Sequence, residues 1–266
     1  MSQPEKNRRN DDAVLYIRGE TWLHKSHPFN KLIYVLLTGV VAYLGPETML
    51  LEGCCIALNF ALAVQAGIFR AAWGLFWRTM LPLALFMTAI HGIFYPDNLT
   101  VLFSLFGQYY YLEGFVYAGN ILLQLGALLT ASALLVFLTN PADLISAMTQ
   151  AGCPPSLAYL TGSPLQLLSV MRARIQTIQA AQRARGLESE GNLVVRFRAL
   201  FPLVVPLVLG SLIEIEQRSI ALEIRGFNSP GPKTSWRIIE DTARQRALRL
   251  LMLCVIFLLV ILRIFS

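Results

Sequence analysis

Five apolar segments, separated by polar stretches, dominate the pattern of the chain. They cover residues 32–44 (with 28–31 added at the start), 49–69, 72–95, 115–138 and 248–264. A helix that crosses a bilayer needs about 20 mostly apolar residues, and all but the short first segment approach that length unaided. The pattern therefore predicts an all-α integral membrane protein with about five transmembrane helices.

Residues 140–246 are more polar and predict long helices of a different kind. Asn140 is expected to cap a helix that starts at Pro141. From Pro164 to Arg185, apolar residues recur at helical spacing, and Gly186 ends the pattern. The recurring residues are Leu165, Leu168, Met171, Ile175 and Ile178.

A second long helix is predicted from about residue 197 to Gly226, interrupted at Pro202 and Pro206. Its apolar part, residues 200–213, is short for a span and has arginines on both sides. We expect this part to pack under or into the cytosolic side of the bundle. The fold expected is thus a five-span bundle with a cytosolic layer of long helices inserted before the last span.

Basic residues orient this arrangement. The N-terminal tail and the loop that holds Arg70 and Arg78 are basic, whereas the loops around Glu47 and residues 97–113 contain no Lys or Arg. The positive-inside rule then predicts a cytoplasmic N-terminus. The expected regions are a cytosolic tail (1–27), a four-helix membrane region (28–139), a cytosolic helical region (140–246) and a final span (247–266). The polar N-terminus does not resemble a cleavable signal peptide.

Composition supports the membrane assignment and excludes several functions. Of 266 residues, 55% are hydrophobic and 14% are charged, against roughly a quarter charged in soluble domains. The net charge of +6 lies mainly in the tail and the polar region, where orientation and partner contacts explain it without nucleic acid. The four cysteines lack metal-ligand spacing, and small apolar packing residues are the favoured interpretation.

No catalytic, cofactor or metal site is predicted. The three histidines form no ligand cluster, and Ser163 and Ser211 lack an evident His/Asp set. Residues 226–234 approximate a phosphate-binding loop, but the lysine is displaced by one position and no strand precedes it. Asn120 and Gln124 lie one turn apart on a span, where interhelical hydrogen bonding is favoured over substrate contact.

The strongest candidate site is a pair of Arg-Gly endings, Ala184-Arg185-Gly186 and Ile224-Arg225-Gly226. A single ending of this kind is explained by helix capping, since the cation complements the helix dipole and glycine adopts the left-handed cap conformation. Two endings on two long helices in one compartment favour a binding function. Arginine presents a planar fork of donors that suits carboxylates, so each ending is predicted to enter an acidic groove on a partner.

Three regions in order resemble a known family. Residues 23–32 (LHKSHPFNKL) resemble its entry into the first span, with His27 in place of an aspartate. Residues 139–144 (TNPADL) resemble its Thr-x-Pro-x-Asp-Leu junction, and the two Arg-Gly endings resemble its paired Ala-Arg-Gly signatures, with Ile224 replacing the second alanine. Lys233-Thr234 and Asp241 also match. The family is the transmembrane (T) component of energy-coupling factor transporters, which includes cobalt-transporter permeases.

The resemblance implies a non-catalytic coupling subunit of an ABC-type importer in the cell membrane. Two cytosolic ATPase subunits would hydrolyse ATP and receive the two signature helices. A separate substrate-binding membrane (S) subunit would carry the vitamin or transition-metal ion. The substrate, a dedicated or shared module and the identity of the two ATPases stay open, although Ile224 would suit two non-identical partners. The alternatives are a self-sufficient secondary carrier or another multi-span membrane protein.

Overall fold

The computed structural model describes residues 16–45, 49–96, 100–105, 108–186, 192–227, 229 and 239–265. Within these ranges the regular secondary structure is helical apart from one two-stranded hairpin, β1 (Val101–Leu105) and β2 (Gln108–Tyr111). The helices are α1 (Trp22–Lys25), α2 (Pro28–Leu44), α3 (Met49–Gln65), α4 (Phe69–Phe94), α5 (Leu112–Leu138), α6 (Pro141–Gln150), α7 (Pro155–Ala184), α8 (Leu193–Ile224) and α9 (Ala243–Phe265). Residues 1–15 of the predicted tail and Lys233-Thr234 lie outside the described residues.

The prediction of an all-α membrane protein is confirmed. Helices α4, α5 and α9 are long and apolar enough to cross a bilayer, and so is Leu200–Ile224 of α8. The shorter α2 and α3 have 17 residues each, the lower limit for a span. Each of the five predicted apolar segments is therefore one helix. Large apolar side chains on α4 and α9 are exposed, as a bilayer-facing surface requires, among them Trp77, Leu85, Phe86, Phe257 and Phe265.

Three local expectations were wrong. The stretch after α4, predicted as an irregular loop, contains the antiparallel hairpin, which pairs Phe103 with Tyr110. Glu113 at the start of α5 anchors it by accepting hydrogen bonds from the backbone N and Oγ1 of Thr100. Prolines 202 and 206 do not interrupt α8, which is continuous around both. Helix α7 also begins earlier than predicted, at Pro155, where proline at the first position costs no hydrogen bond.

The chain divides into two compact units. One comprises residues 15–151 and 237–266, which contain α1 to α6, the hairpin and α9. The other includes residues 152–236, which contain α7 and α8. Helix α6, capped as predicted by the side chain of Asn140, contacts α2 within the first unit.

Helix α5 is the centre of the first unit and packs against α2, α3 and α4. Its buried face is built from small residues, including Gly114, Ala118, Gly126, Ala127 and Ala131. Small side chains let helices approach closely where there is no water to drive association. At Gly126, for example, a Cβ would lie 3.2 Å from side-chain atoms of both Ile56 and Phe76.

A buried polar network ties three of these helices together. Tyr34 of α2 donates to Asn59 Oδ1 of α3 (2.5 Å), and Asn59 Nδ2 donates to Thr130 Oγ1 (2.9 Å) and Ala127 O (3.2 Å) of α5. Asn59 is 1% exposed. Because an unpaired amide is costly in an apolar interior, the network specifies how these helices align. Asn120 of α5 differs: its Oδ1 is buried and bonds to no residue described, so the predicted interhelical bond is not formed there.

His27 caps the start of α2. Its Nδ1 accepts a hydrogen bond from the backbone N of Phe29 (3.3 Å), and the residue is 5% exposed. The imidazole thus takes over a task that an aspartate commonly performs at a helix N-terminus. Asp241, just before α9, faces it and is paired with Arg249 (2.8 Å).

We expect the cap at His27 to make stability depend on pH. Burial lowers the pKa of His27, an effect that Asp241 opposes and Arg249 reinforces. In the unfolded chain the imidazole has a pKa near 6.5. Below that pH the unfolded state therefore binds more protons than the folded state, and the free energy of unfolding decreases. His27→Asn retains a capping oxygen without titrating. From pH 7.5 to 5.5, the melting temperature of this variant should fall less than that of the wild type. The variant should still lose some stability, because burial also lowers the pKa of His24. Equal losses in both proteins would contradict this role.

Candidate functional site

Helices α7 and α8 form an antiparallel pair, and the contacts between them fix its register. Near the end of α7, Gln182 contacts the start of α8 at Pro202. Near the start of α7, Tyr159 packs on Phe227, which follows α8 (ring centroids 5.5 Å apart). The C-terminus of each helix therefore lies beside the N-terminal part of the other.

An ion cluster holds the middle of the pair. Arg174 of α7 donates to Glu214 Oε2 of α8 (3.0 Å), and Arg218, one turn further along α8, donates to Glu214 Oε1 (3.0 Å). Arg218 also reaches Ser163 Oγ on α7 (3.5 Å). These side chains are partly exposed, so each pair contributes modestly, but together they set the alignment of the two helices.

Gln182 compensates for a proline in α8. Proline has no N–H, so Pro206 leaves the carbonyl of Pro202, four residues earlier, without its helical donor. Gln182 Nε2 of α7 donates to that carbonyl (3.2 Å). This half-buried carbonyl thus receives its hydrogen bond from the neighbouring helix, which favours the continuation of α8 through this position.

Both Arg-Gly endings terminate their helices in the same way. Ala184 and Ile224 are the last helical residues, and Gly186 and Gly226 follow with φ of 88° and 66°. The N–H of each glycine donates to a carbonyl three residues earlier, Arg183 O and Glu223 O. At the second ending Phe227 N also donates to Leu222 O (3.0 Å), which completes a Schellman motif. Capping is therefore part of what both glycines do.

At both endings, the arginine between the last helical residue and the glycine is exposed. Neither Arg185 nor Arg225 has a side-chain ion pair or hydrogen bond with the described residues. This differs from Arg174 and Arg218, which are engaged by Glu214. Ile224, beside Arg225, is 81% exposed and adds an apolar contact surface. Each ending thus presents a guanidinium that has no partner among the described residues, at a helix end capped by glycine.

The antiparallel register places the two endings far apart. Arg225 lies at the level of Tyr159 on α7, 26 residues before Arg185. At 1.5 Å per residue this corresponds to roughly 40 Å along the helix pair. One ligand of ordinary size cannot contact both guanidinium groups, so the endings form two separate contact points.

Sequence reasoning identified the six residues of the endings but not the side chains that position them. The Glu214–Arg218 pair has the i, i+4 spacing of a helical ion pair and could have been found from the sequence. The contacts of Gln182 with Pro202 and of Tyr159 with Phe227 had no local signal. Within the residues that the structure describes, no group of three or more His, Cys, Asp or Glu could hold a metal ion.

Comparisons with known proteins agree with these observations. The chain matches the model of the CbiQ family, described as cobalt transport protein, over residues 19–236. It is similar to the energy-coupling factor transporter transmembrane protein EcfT of Brevibacillus brevis, with 28% identity over 242 residues that cover 86% of this chain and 89% of the relative. The EcfT proteins of Exiguobacterium sibiricum (28% identity, 93% and 97% covered) and Lactococcus lactis (24%, 92% and 95%) are similar along almost their whole length.

Proposed function

The chain belongs to the CbiQ family and is a T component of the energy-coupling factor transporters, and from this membership we propose how it works. It is the subunit that couples two cytosolic ATPases to a separate substrate-binding membrane subunit. Arg185 and Arg225 each enter an acidic groove on one ATPase. Motion of the ATPases is transmitted through α7 and α8 to the substrate-binding subunit, which carries a vitamin or a transition-metal ion.

The observation that carries this proposal is the geometry of the two endings. Both present an exposed, unpaired guanidinium at a capped helix end, and they lie roughly 40 Å apart on one helix pair. Two separate and similar contact points suit two similar partners. A guanidinium fork favours carboxylates, so the partner surface is acidic.

We place α7 and α8 on the cytosolic side of the cell membrane, together with the N-terminus. The two helices contact each other along their length, so α8 could enter the hydrocarbon only together with Arg172 and Arg174 of α7. An arginine near the centre of a bilayer costs about 2.5–3.5 kcal/mol on insertion scales. Leu200–Ile224 is apolar enough to span, but this cost and the flanking arginines favour the surface position.

Co-purification tests the proposed assembly. The affinity-tagged chain, extracted from native membranes in mild detergent, should bring down two ATPase subunits per chain together with one small membrane protein. Mass spectrometry identifies the components and native mass gives their ratio. Reconstituted vesicles should accumulate substrate only with the whole complex and ATP. Uptake by the chain alone, driven by an ion gradient, would instead identify a secondary carrier.

A further inference from the structure

A cavity of about 710 Å³ opens at the end of the first unit where α2 and α9 begin. Its walls are formed by the segment before α2 and by helices α2, α5 and α9, with one side chain from α3. None of the described residues that line it belongs to α7 or α8.

The mouth of this cavity is positively charged. Its described lining includes Lys25, Lys31 and Arg244 and no acidic residue. Lys31 is already engaged, since its Nζ donates to the backbone carbonyls of His24 (3.2 Å) and Leu138 (2.8 Å). Lys25 and Arg244 are exposed and form no ion pair with a described acid. This uncompensated charge attracts an anion.

The floor of the cavity is apolar. Leu248 and Met252 follow Arg244 on the same face of α9, four and eight residues on, so Met252 lies about 12 Å deeper along the helix. Leu37 of α2 and Leu134 of α5 line the cavity with them. A small soluble anion would leave this apolar floor unfilled. A phospholipid would place its phosphate at the charged mouth and its acyl chains against the apolar floor.

Two buried amide oxygens at this site could each accept a hydrogen bond from a ligand. Asn30 and Gln245 line the cavity, and their oxygens, Asn30 Oδ1 and Gln245 Oε1, are buried and have no hydrogen-bond partner among the described residues. The amide of Asn30 is held in this orientation because its Nδ2 donates to the backbone carbonyl of Gln245 (3.1 Å). Asn30 is 5% exposed, so its oxygen is shielded from bulk water. A ligand that satisfies both oxygens carries hydroxyl groups.

We propose that this cavity is a binding site for phosphatidylglycerol in the leaflet where α2 and α9 begin. The phosphate lies between Lys25 and Arg244. The glycerol hydroxyls of the headgroup donate to Asn30 and Gln245, and an acyl chain occupies the apolar floor.

Native mass spectrometry of the full-length chain tests this site. The delipidated protein is mixed with equal concentrations of phosphatidylglycerol, phosphatidylmethanol (anionic, without headgroup hydroxyls) or phosphatidylcholine. We expect phosphatidylglycerol to bind several-fold better than phosphatidylmethanol, and phosphatidylcholine to bind least. The K25Q/R244Q variant should bind phosphatidylglycerol about tenfold or more weakly, since each surface cation contributes about 1 kcal/mol to attraction of anionic lipid.

Two further variants separate the site from general effects. R70Q/R78Q removes the same charge from exposed positions of α4 outside the cavity and should bind as the wild type does. Q245L keeps both cations and should reduce phosphatidylglycerol binding to the phosphatidylmethanol level, with phosphatidylmethanol binding unchanged. Equal binding of all three lipids, full binding by K25Q/R244Q, or displacement of the lipid by free glycerol phosphate would each overturn the proposal.

Discussion

Arg185→Ala and Arg225→Ala are each expected to weaken association with the ATPases by about thirtyfold or more, and the double variant to abolish the complex and uptake. Truncating one partner of a desolvated charge pair typically costs 2–5 kcal/mol, because the other charge stays buried without its partner. Arg185→Lys and Arg225→Lys keep the charge but lose the planar fork, so they should lie between wild type and alanine.

Retention of the ATPases on the tagged chain, titrated by dilution, measures this effect. Arg172→Ala is the matched control, because Arg172 is an exposed arginine in the middle of α7 and not at a helix end. It should leave the complex intact. If the double variant retained both ATPases and transported at the wild-type rate, the role assigned to the two endings would be wrong.

Gly114→Ala is expected to reduce the free energy of unfolding by about 3 kcal/mol or more, beyond the usual cost of overpacking a core. A Cβ at Gly114 would overlap the carbonyl oxygen of His91 and lie 2.7 Å from its carbonyl carbon and 3.0 Å from the Cα of Gly92. These are backbone atoms of α4, which cannot rotate away as a side chain does. Helices α4 and α5 would have to separate.

Thermal melting of the purified protein in detergent tests this prediction. Gly74→Ala, on α4, is the matched control, since a Cβ there meets no atom within 4 Å. Alanine is also the better helix former, so this variant should melt at or slightly above the wild-type temperature. A Gly114→Ala protein as stable as the Gly74→Ala protein would show that the two helices are not packed as closely as described.

Features that depend only on residues close together in the sequence could be predicted. The apolar runs identify the membrane helices because the bilayer sets their length and polarity. The caps at Asn140 and Gly186 follow from backbone requirements within a few residues. The ends of α7 and α8 at the two glycines were predictable for the same reason, whereas the binding role of the six residues at these endings stays a prediction.

The remaining features depend on partners distant in the sequence. Prolines 202 and 206 predict an interruption, and only the packing of α7 on α8 supplies the replacement donor, Gln182. The β1–β2 hairpin is short and rich in tyrosine, and its residues show no regular alternation that distinguishes a strand from a loop. The wide separation of Arg185 and Arg225 follows from the antiparallel register, which no local motif encodes.

In the proposed mechanism, in which α7 and α8 transmit motion, the hydrogen bond from Gln182 to the carbonyl of Pro202 has a further consequence. A helix resists bending through its own ladder of hydrogen bonds, and α8 lacks the bonds that Pro202 and Pro206 cannot donate. Gln182 of α7 donates to the carbonyl of Pro202, which Pro206 leaves without a helical donor. To bend at this point, α8 must therefore either break this hydrogen bond or move together with Gln182. Motion applied at Arg185, three residues beyond Gln182, would then reach α8 through this hydrogen bond. We therefore expect the two helices to bend together at this point, which lies close to the end of α7 that carries Arg185.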